Sequence, residues 1–429
     1  MAEIKAFQGI RYNQSKIKNL DGVVAPPYDI IDESQQDGYY RRHPQNIIRL
    51  ELGKTKDGDD CKNNQYTRAR DYYQDWRGQG FLTREEVPAI YLYEQEFLDG
   101  KEPNIRKGVI CAVKLEDYDK NIVIPHEETL PKAKEDRLNL MRSCHANFSP
   151  TFGIYMDEEN EVGDIFKKAK KNPPEMDFAD EDGIKHRVWV LKDEKQIQKF
   201  QSLLAERQIF IADGHHRYET ALNFSKEMEG QKGYGHAMMT LVNVYDTGLV
   251  VYPTHRLVKN IEDFNPQKIH EGLKKNFEVQ EVEIGANGME GIIDELSKDM
   301  DEKHRFAMSF DGKKFYFINA ARGSINIDDS RCEAWNSLDI AVLQEMILDR
   351  LLGIGQKERA EGGYLEYTRD EMEGFDKLRG GGYQALFLVN TTKVEEVVDV
   401  ALAGDKMPQK STYFYPKLIT GLVINPLGE

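Results

Sequence analysis

The run IFIADGHHRYETAL, Ile209–Leu222, constrains this chain more than any other segment. Ile209 to Ala212 read as a short buried strand. Asp213 and Gly214 interrupt it, and helical spacing resumes at once, with Tyr218, Ala221, Leu222 and Ser225 on one face. A strand that passes through one glycine into a helix is an α/β unit, so all-helical and all-strand folds are excluded. The same turn has a chemical consequence. Gly214 permits unusual dihedrals and close backbone approach. The helix start adds amides without intrahelical partners and the positive end of a dipole. Together these make an anion site. His215, His216 and Arg217 supply further donors, and a guanidinium can grip phosphate oxygens in pairs. Asp213 could hold a metal ion, orient a histidine or cap the helix. The plain alternative is a structural turn with a capping aspartate and solvated basic residues.

The rest of the chain is expected to be α/β (α+β) as well. Its 429 residues suggest two or three domains at about 100–200 residues each. Residues 1–104 read as an N-terminal segment packing on a core. Residues 105–250 read as that core, and residues 251–429 as a C-terminal α+β domain. Strands are expected in DGVVAPPYDII, NIIRLELGK and AIYLYEQEF, the first broken by Pro26-Pro27, and a helix in YTRARDYYQDWRGQGF. Asp193–Glu206 reads as a helix capped by Asp193, with Ile197, Phe200 and Leu204 buried. A hairpin is expected around Asp311-Gly312, and one continuous helix over Ser337–Leu352 with a serine cap.

Composition narrows the function classes. The chain is 40% hydrophobic and 31% charged, which is ordinary globular composition. Its net charge is −16, so the average surface repels a polyanion, and no nucleic-acid partner is expected. The start MAEIKAFQGIRY has no apolar signal core, and no window approaches the ~18 apolar residues of a membrane span. A cytoplasmic location is therefore expected. Cys61, Cys111, Cys144 and Cys332 are scattered, without a Cys-x-x-Cys, and are read as reduced thiols. GKT at Gly53–Thr55 is not a Walker loop, because Ile48 stands where its first glycine is needed.

A second polar cluster, IPHEETLPKAKEDR at Ile124–Arg137, carries His126, Glu127, Glu128 and Arg137. Neighbouring carboxylates can raise one another's pKa and provide a general base. It is not a His-Glu-x-x-His zinc motif, since Leu130 takes the place of the second histidine. Capping and solubility are the plain reading of such a cluster. MPQKSTYFYPKLITGL adds Lys410, Ser411, Thr412, Tyr413 and Lys417, which could reach a phosphate or carboxylate or form a polar strand edge.

The segments APPYDII, NIIRLELGK, PHEETLPKAKEDRLNLM, IADGHHRYETAL, PTHRLV, SLDIAVL and MPQKSTYFYPKLITGLV resemble, in order, a bacterial and archaeal family known as domain of unknown function 1015. The resemblance covers nearly the whole chain. More distantly, DGHHR followed by a helix looks like the phosphate-binding loop of the ParB/sulfiredoxin superfamily. The wording is nearest to the free serine kinases, in which an Asp-Gly-His-His-Arg loop holds nucleotide phosphates. That likeness implies a ParB/sulfiredoxin-like core that binds ATP or ADP with Mg2+, and a reaction that phosphorylates free L-serine. It implies Asp213, Gly214, His215, His216 and Arg217 at the phosphates, with His126 nearby, and Glu127 or Glu128 as base. Asp213 would hold the metal, and Arg137, Lys410, Ser411 and Thr412 would face the acceptor. His215 stands where sulfiredoxins carry cysteine, which argues against sulfinic-acid repair. Two other readings stay open: a nucleotide-binding switch without metabolite kinase activity, and a metal-dependent hydrolase using the histidines. The oligomeric state is left open.

Overall fold

The strand expected before Gly214 forms over Ile209–Asp213, inside a nine-stranded sheet. The computed structural model describes residues 2–127 and 131–429. In chain order the sheet uses β1 (Ile4–Lys5), β2 (Ile90–Asp99), β3 (Glu102–Lys114), β4 (Val123–Ile124), β5 (Thr151–Tyr155), β6 (Met176–Ala179), β7 (Lys185–Leu191), β8 (Ile209–Asp213) and β9 (His236–Asn243). Its spatial order is β4-β8-β5-β9-β3-β2-β7-β6, with β1 also paired to β3. Most pairs are antiparallel, but β8 runs parallel to β4, and β9 parallel to β5. The protein is thus a mixed α+β fold, as the sequence indicated.

Two units emerge from the contacts within the chain. The first holds the chain up to Pro125, the stretch from Pro131 to Val250, and Pro416–Glu429. The second holds His126 and Glu127 together with Val251–Tyr415. The first unit therefore contains both the N-terminal segment and the core, and takes in the last residues of the chain as well.

Helices of the first unit are α1 (Glu33–Arg42), α2 (Ile48–Glu51), α3 (Gln65–Gly78), α4 (Pro131–Cys144), α5 (Glu161–Ala169), α6 (Glu194–Leu204) and α7 (His215–Glu227). The apolar stripe expected on α6 is the one it buries: Ile197, Phe200 and Leu204. Asp193 caps it by accepting from the Gln196 amide at 2.9 Å. α7 buries Tyr218, Ala221 and Phe224 in the same core as Ile90, Leu92, Val109 and Leu241 of the sheet. Each such large side chain contributes about 1.5–3 kcal/mol through apolar burial. The Tyr218 hydroxyl also donates to the Glu116 carbonyl and accepts from the Glu116 amide, both at 2.9 Å. That pair fixes the first turn of α7 against the end of β3.

Three expectations are corrected. NIIRLELGK is not a strand; Ile48–Glu51 form α2. Asn46 turns the chain there, accepting from the Ile48 amide while its amide donates to the Gly22 and Val24 carbonyls. A local side-chain bond of this kind favours a turn over a ladder. The APPYDII segment forms a 3-10 turn at Tyr28–Ile30, with only Ala25 bridging, to Thr420. The helix expected over Ser337–Leu352 starts later and changes type: Asp339–Val342 is α-helical and runs straight on into a π-helix over Leu343–Asp349, while Glu333–Asn336 is a separate short helix before it. Ser337 ends that short helix; its hydroxyl donates back to Glu333 and Ala334, so it caps nothing downstream.

The second unit has a six-stranded sheet made of β10 (His255–Val258), β11 (Glu278–Glu283), β12 (Lys303–Ser309), β13 (Lys314–Ala321), β14 (Leu365–Thr368) and β15 (Ala385–Val389). Its order is β11-β13-β12-β15-β10-β14. The expected hairpin is β12–β13, with Gly312 at φ 69° in its turn. All four cysteines are free thiols; Cys111 and Cys144 are buried and Cys61 is exposed. No helix among the described residues is long and apolar enough to cross a membrane.

The second unit buries a titratable group that gives it a pH dependence. His255 on β10 is 1% exposed; its Nδ1 accepts from the Val389 amide, and Nε2 has no hydrogen-bond partner among the described residues. Burial, and then the Arg256 charge beside it, push its pKa down from 6.5 to about 4. The folded ring stays neutral where the unfolded ring takes a proton. Stability is therefore lost as pH falls from about 6.5 to about 4, by about 3 kcal/mol. Urea unfolding at neutral and mildly acid pH should show this loss, and His255→Gln should flatten it. An unchanged slope in the variant would show that other groups carry the acid sensitivity.

Candidate functional site

β8 reaches its last residue through an irregular register: Ile211 pairs with Gly153, but Asp213 pairs with Phe152. The shift re-aims the end of the strand, as bulges do. Gly214 then sits at φ 87°, ψ 34°, in the left-handed region, and α7 starts at His215. GHHR is therefore a glycine plus the first helical turn. No side chain caps this helix start. That answers the question over Asp213: its carboxylate is used elsewhere.

Asp213 Oδ2 accepts from Lys417 Nζ at 2.9 Å, and Arg217 NH2 lies 3.8 Å from Oδ1. Burial by itself would raise the Asp213 carboxyl. The Lys417 and Arg217 charges outweigh it and hold the group well below its ordinary 3.8. With a depressed pKa, the ion pair stabilises the fold above the usual carboxylate range and is lost as pH falls through the folded value.

The Arg217 guanidinium folds back over Gly214 and donates to the Pro150 carbonyl. A Cβ on Gly214 would stand 2.6 Å from Arg217 Nε, so the glycine makes room for the arginine as well as for the turn. Arg106 of β3 is buried, stacks on Phe152 at 4.9 Å and donates to Gln95 and Pro416. Its charge is also felt at Asp213. Lys417, Arg217 and Arg106 thus all act on the Asp213 carboxylate. His215 is buried on the inner side of the turn, whereas His216 is partly exposed. Lys417 was visible in the sequence as a cation able to reach a phosphate. Arg106 was missed; an arginine inside the apolar run of β3 was its only signal.

The other candidates fall into separate places. His126 is fully buried in the second unit, with Nε2 3.4 Å from the Thr412 hydroxyl and 3.9 Å from a Glu127 carboxylate oxygen. The His126 carbonyl accepts from the Met407 amide at 2.7 Å. Glu128 lies outside the described residues. Ser411 is buried and donates its hydroxyl to the Pro408 carbonyl, which commits it to a turn. Lys410 has an exposed side chain and a left-handed backbone, φ 58°; its carbonyl accepts from Arg256 at 3.1 Å. Arg137 is not a surface residue. It is buried in the first unit, donates to the Glu51 carbonyl at 2.7 Å and the Glu51 carboxylate at 3.3 Å, and lies 4.0 Å from the Tyr28 ring. Arg142 pairs at the surface with Glu227. Among the described residues, no group of three or more His, Cys, Asp or Glu side chains could hold a metal ion.

Sequence comparison matches residues 4–341 to the family described as Protein of unknown function (DUF1015). The chain belongs to this family. No curated protein matches it. Among solved structures, this DUF1015 member is similar to a free serine kinase in complex with AMP. The identity is 16%, 75% of this chain and 91% of that one are covered, and the TM-score is 0.38. It is similar to a conserved hypothetical protein from Pyrococcus furiosus at 16% identity, with 75% and 95% covered and a TM-score of 0.36. It is also similar to C-terminally truncated SbnI from Staphylococcus aureus at 10% identity, with 74% and 87% covered and a TM-score of 0.36.

Proposed function

We propose that this protein is a nucleotide-dependent phosphotransferase that acts on a small hydroxyl-bearing metabolite, with free L-serine as acceptor and O-phosphoserine as product. The observation that carries the reading is the Gly214 turn. A left-handed glycine opens the helix that carries Arg217, and Asp213 just before it accepts from Lys417 and lies 3.8 Å from Arg217. Helix-start amides and two cations suit the oxygens of a polyphosphate. The ParB/sulfiredoxin-like reading of the core belongs to the same proposal, as does a cytoplasmic location.

The Gly214 turn with Arg217 and Lys417 suits the phosphates of ATP or ADP, and for Mg2+ the reading offers Asp213, a carboxylate that Lys417 already holds at 2.9 Å. Magnesium takes one or two carboxylates and completes its shell with phosphate oxygens and water, and Asp213 is one such carboxylate. Bound there, the ion would bridge phosphates and offset charge. Gly214, His215, His216 and Arg217 would position the transferred group, and Lys417 would neutralise charge that develops on it. Glu127, with His126 3.9 Å away, would take the proton of the acceptor hydroxyl, a role Glu128 could share.

The test is a thermal-shift screen of ATP, ADP, CTP and GTP with magnesium, on the natural protein and Arg217→Ala. A nucleotide present at 100 times its dissociation constant should stabilise by about 2.7 kcal/mol, and the variant should lose that gain. No shift with any nucleotide would overturn the reading. Glu127→Gln then separates a kinase from a switch: turnover with serine should fall while nucleotide binding stays.

A further inference from the structure

Beside the phosphate turn, the first unit contains a cavity of about 40 Å³, measured as room for the centres of water-sized molecules. Its lining includes Glu51, Arg137, Ser149, Thr151, Arg217 and Thr220, none more than 9% exposed. Seven buried polar side chains, Asn147 the seventh, around one space are costly unless each finds a polar partner. Water alone can satisfy such groups, and a space of this size holds a few waters or one compact polar molecule. The charges argue for the molecule. Glu51 contributes one negative charge, and Arg137 and Arg217 one positive charge each, so both signs face the space; Asp136 and Asp213, which do not line it, pair with the two arginines.

Their arrangement is specific. One Glu51 carboxylate oxygen accepts from the Ser149 hydroxyl at 2.7 Å and from Arg137 at 3.3 Å. Arg137 is held in place by Asp136, the Glu51 carbonyl and the face of Tyr28. Arg217 lines the same space and also packs over Gly214, so one guanidinium borders both the phosphate turn and the cavity.

We propose that this cavity binds a small hydroxy α-amino acid, its carboxylate toward the two arginines and its ammonium toward Glu51. A fixed carboxylate beside fixed guanidinium groups reads a zwitterion by charge and spacing, and the space is too small for a nucleobase with its sugar. As the acceptor pocket of the proposed transfer, the cavity rests on that reading; binding in it requires no nucleotide.

Calorimetric titration of the full chain with L-serine, 3-hydroxypropionate and ethanolamine tests the proposal. L-serine should bind best, 3-hydroxypropionate more weakly because it lacks the ammonium, and ethanolamine not measurably because it lacks the carboxylate. Glu51→Gln should weaken L-serine binding about tenfold or more and leave 3-hydroxypropionate nearly unchanged. Arg137 keeps Asp136 as a partner in that variant, and Ser149→Ala gives a second, milder perturbation with the same direction. Thermal midpoints of both variants check the fold. The proposal is overturned if none of the three compounds binds the natural protein, or if L-serine binds both variants as tightly as the natural protein. Serine binding that responds to Glu51 in a protein no nucleotide stabilises would keep the cavity and remove the phosphotransferase. Nucleotide binding without any serine binding would do the reverse.

Discussion

Gly214→Ala should remove nucleotide stabilisation altogether and cost the protein about 2–3 kcal/mol of its own stability. Two effects add. An alanine at φ 87° pays the left-handed penalty, which a side chain escapes only by changing the turn. Its Cβ would also stand 2.6 Å from Nε and 2.8 Å from Cζ of Arg217. That guanidinium is not free to swing: it is bonded to the Pro150 carbonyl, faces Asp213 and is buried. Displacing it disturbs the cations around Asp213 and the wall of the cavity together. Urea unfolding reads the first effect, and a thermal-shift titration the second. A variant with undiminished stability would mean that the turn relaxes without loss and that the left-handed glycine is incidental.

Arg137→Met should be worse for stability, by about 3–5 kcal/mol, because it leaves a buried carboxylate without its cation. Glu51 is 3% exposed, and the side chain that offsets its charge is Arg137. Methionine keeps much of the volume against Tyr28 but returns no charge. The double variant Glu51→Gln with Arg137→Met should recover a large part of the loss, since neither partner is then charged. Urea denaturation of the three variants gives the coupling directly. A single-variant loss below about 1 kcal/mol would place Glu51 in effective contact with water and reduce the pair to a surface ion pair.

Much of the local structure could be read directly from the chain. Ile209 to Leu222 carried its own switch from strand to helix at one glycine, and Asp193 with Ile197, Phe200 and Leu204 marked a capped, half-buried helix. NIIRLELGK misled because nine residues do not separate a two-residue period from one helical turn. The deciding term was the Asn46 side chain binding the backbone of another segment. Ser337 looked like a cap since it precedes an apolar stripe, yet its hydroxyl was already spent on the turn behind it. The site was legible only in its contiguous part. Asp213, Gly214 and Arg217 read as a phosphate turn and Lys417 as a cation able to reach a phosphate, but the 204 residues between Asp213 and Lys417 hid that the two are partners. Arg137 stood out in its polar cluster, but its partner Glu51 did not: Glu51 lies 86 residues away in an unremarkable stretch, and its meaning comes from a burial that no spacing reveals.

Lys417 belongs to a stretch that returns to the first unit after Val251–Tyr415 have been threaded through the second. From there the chain bridges Thr420 to Ala25 and Ile424 to Ile10, and pairs Asn425–Pro426 with Ala146–Asn147. Synthesis from the N-terminus makes Asp213 204 residues before the Lys417 that pairs with it. Until Lys417 arrives, Asp213 has Arg217 at 3.8 Å and the charge of Arg106, and the neighbourhood of the turn carries one cation fewer than in the finished molecule. A nascent chain that has not yet reached Lys417 should form this strand and helix with Asp213 still lacking its 2.9 Å partner.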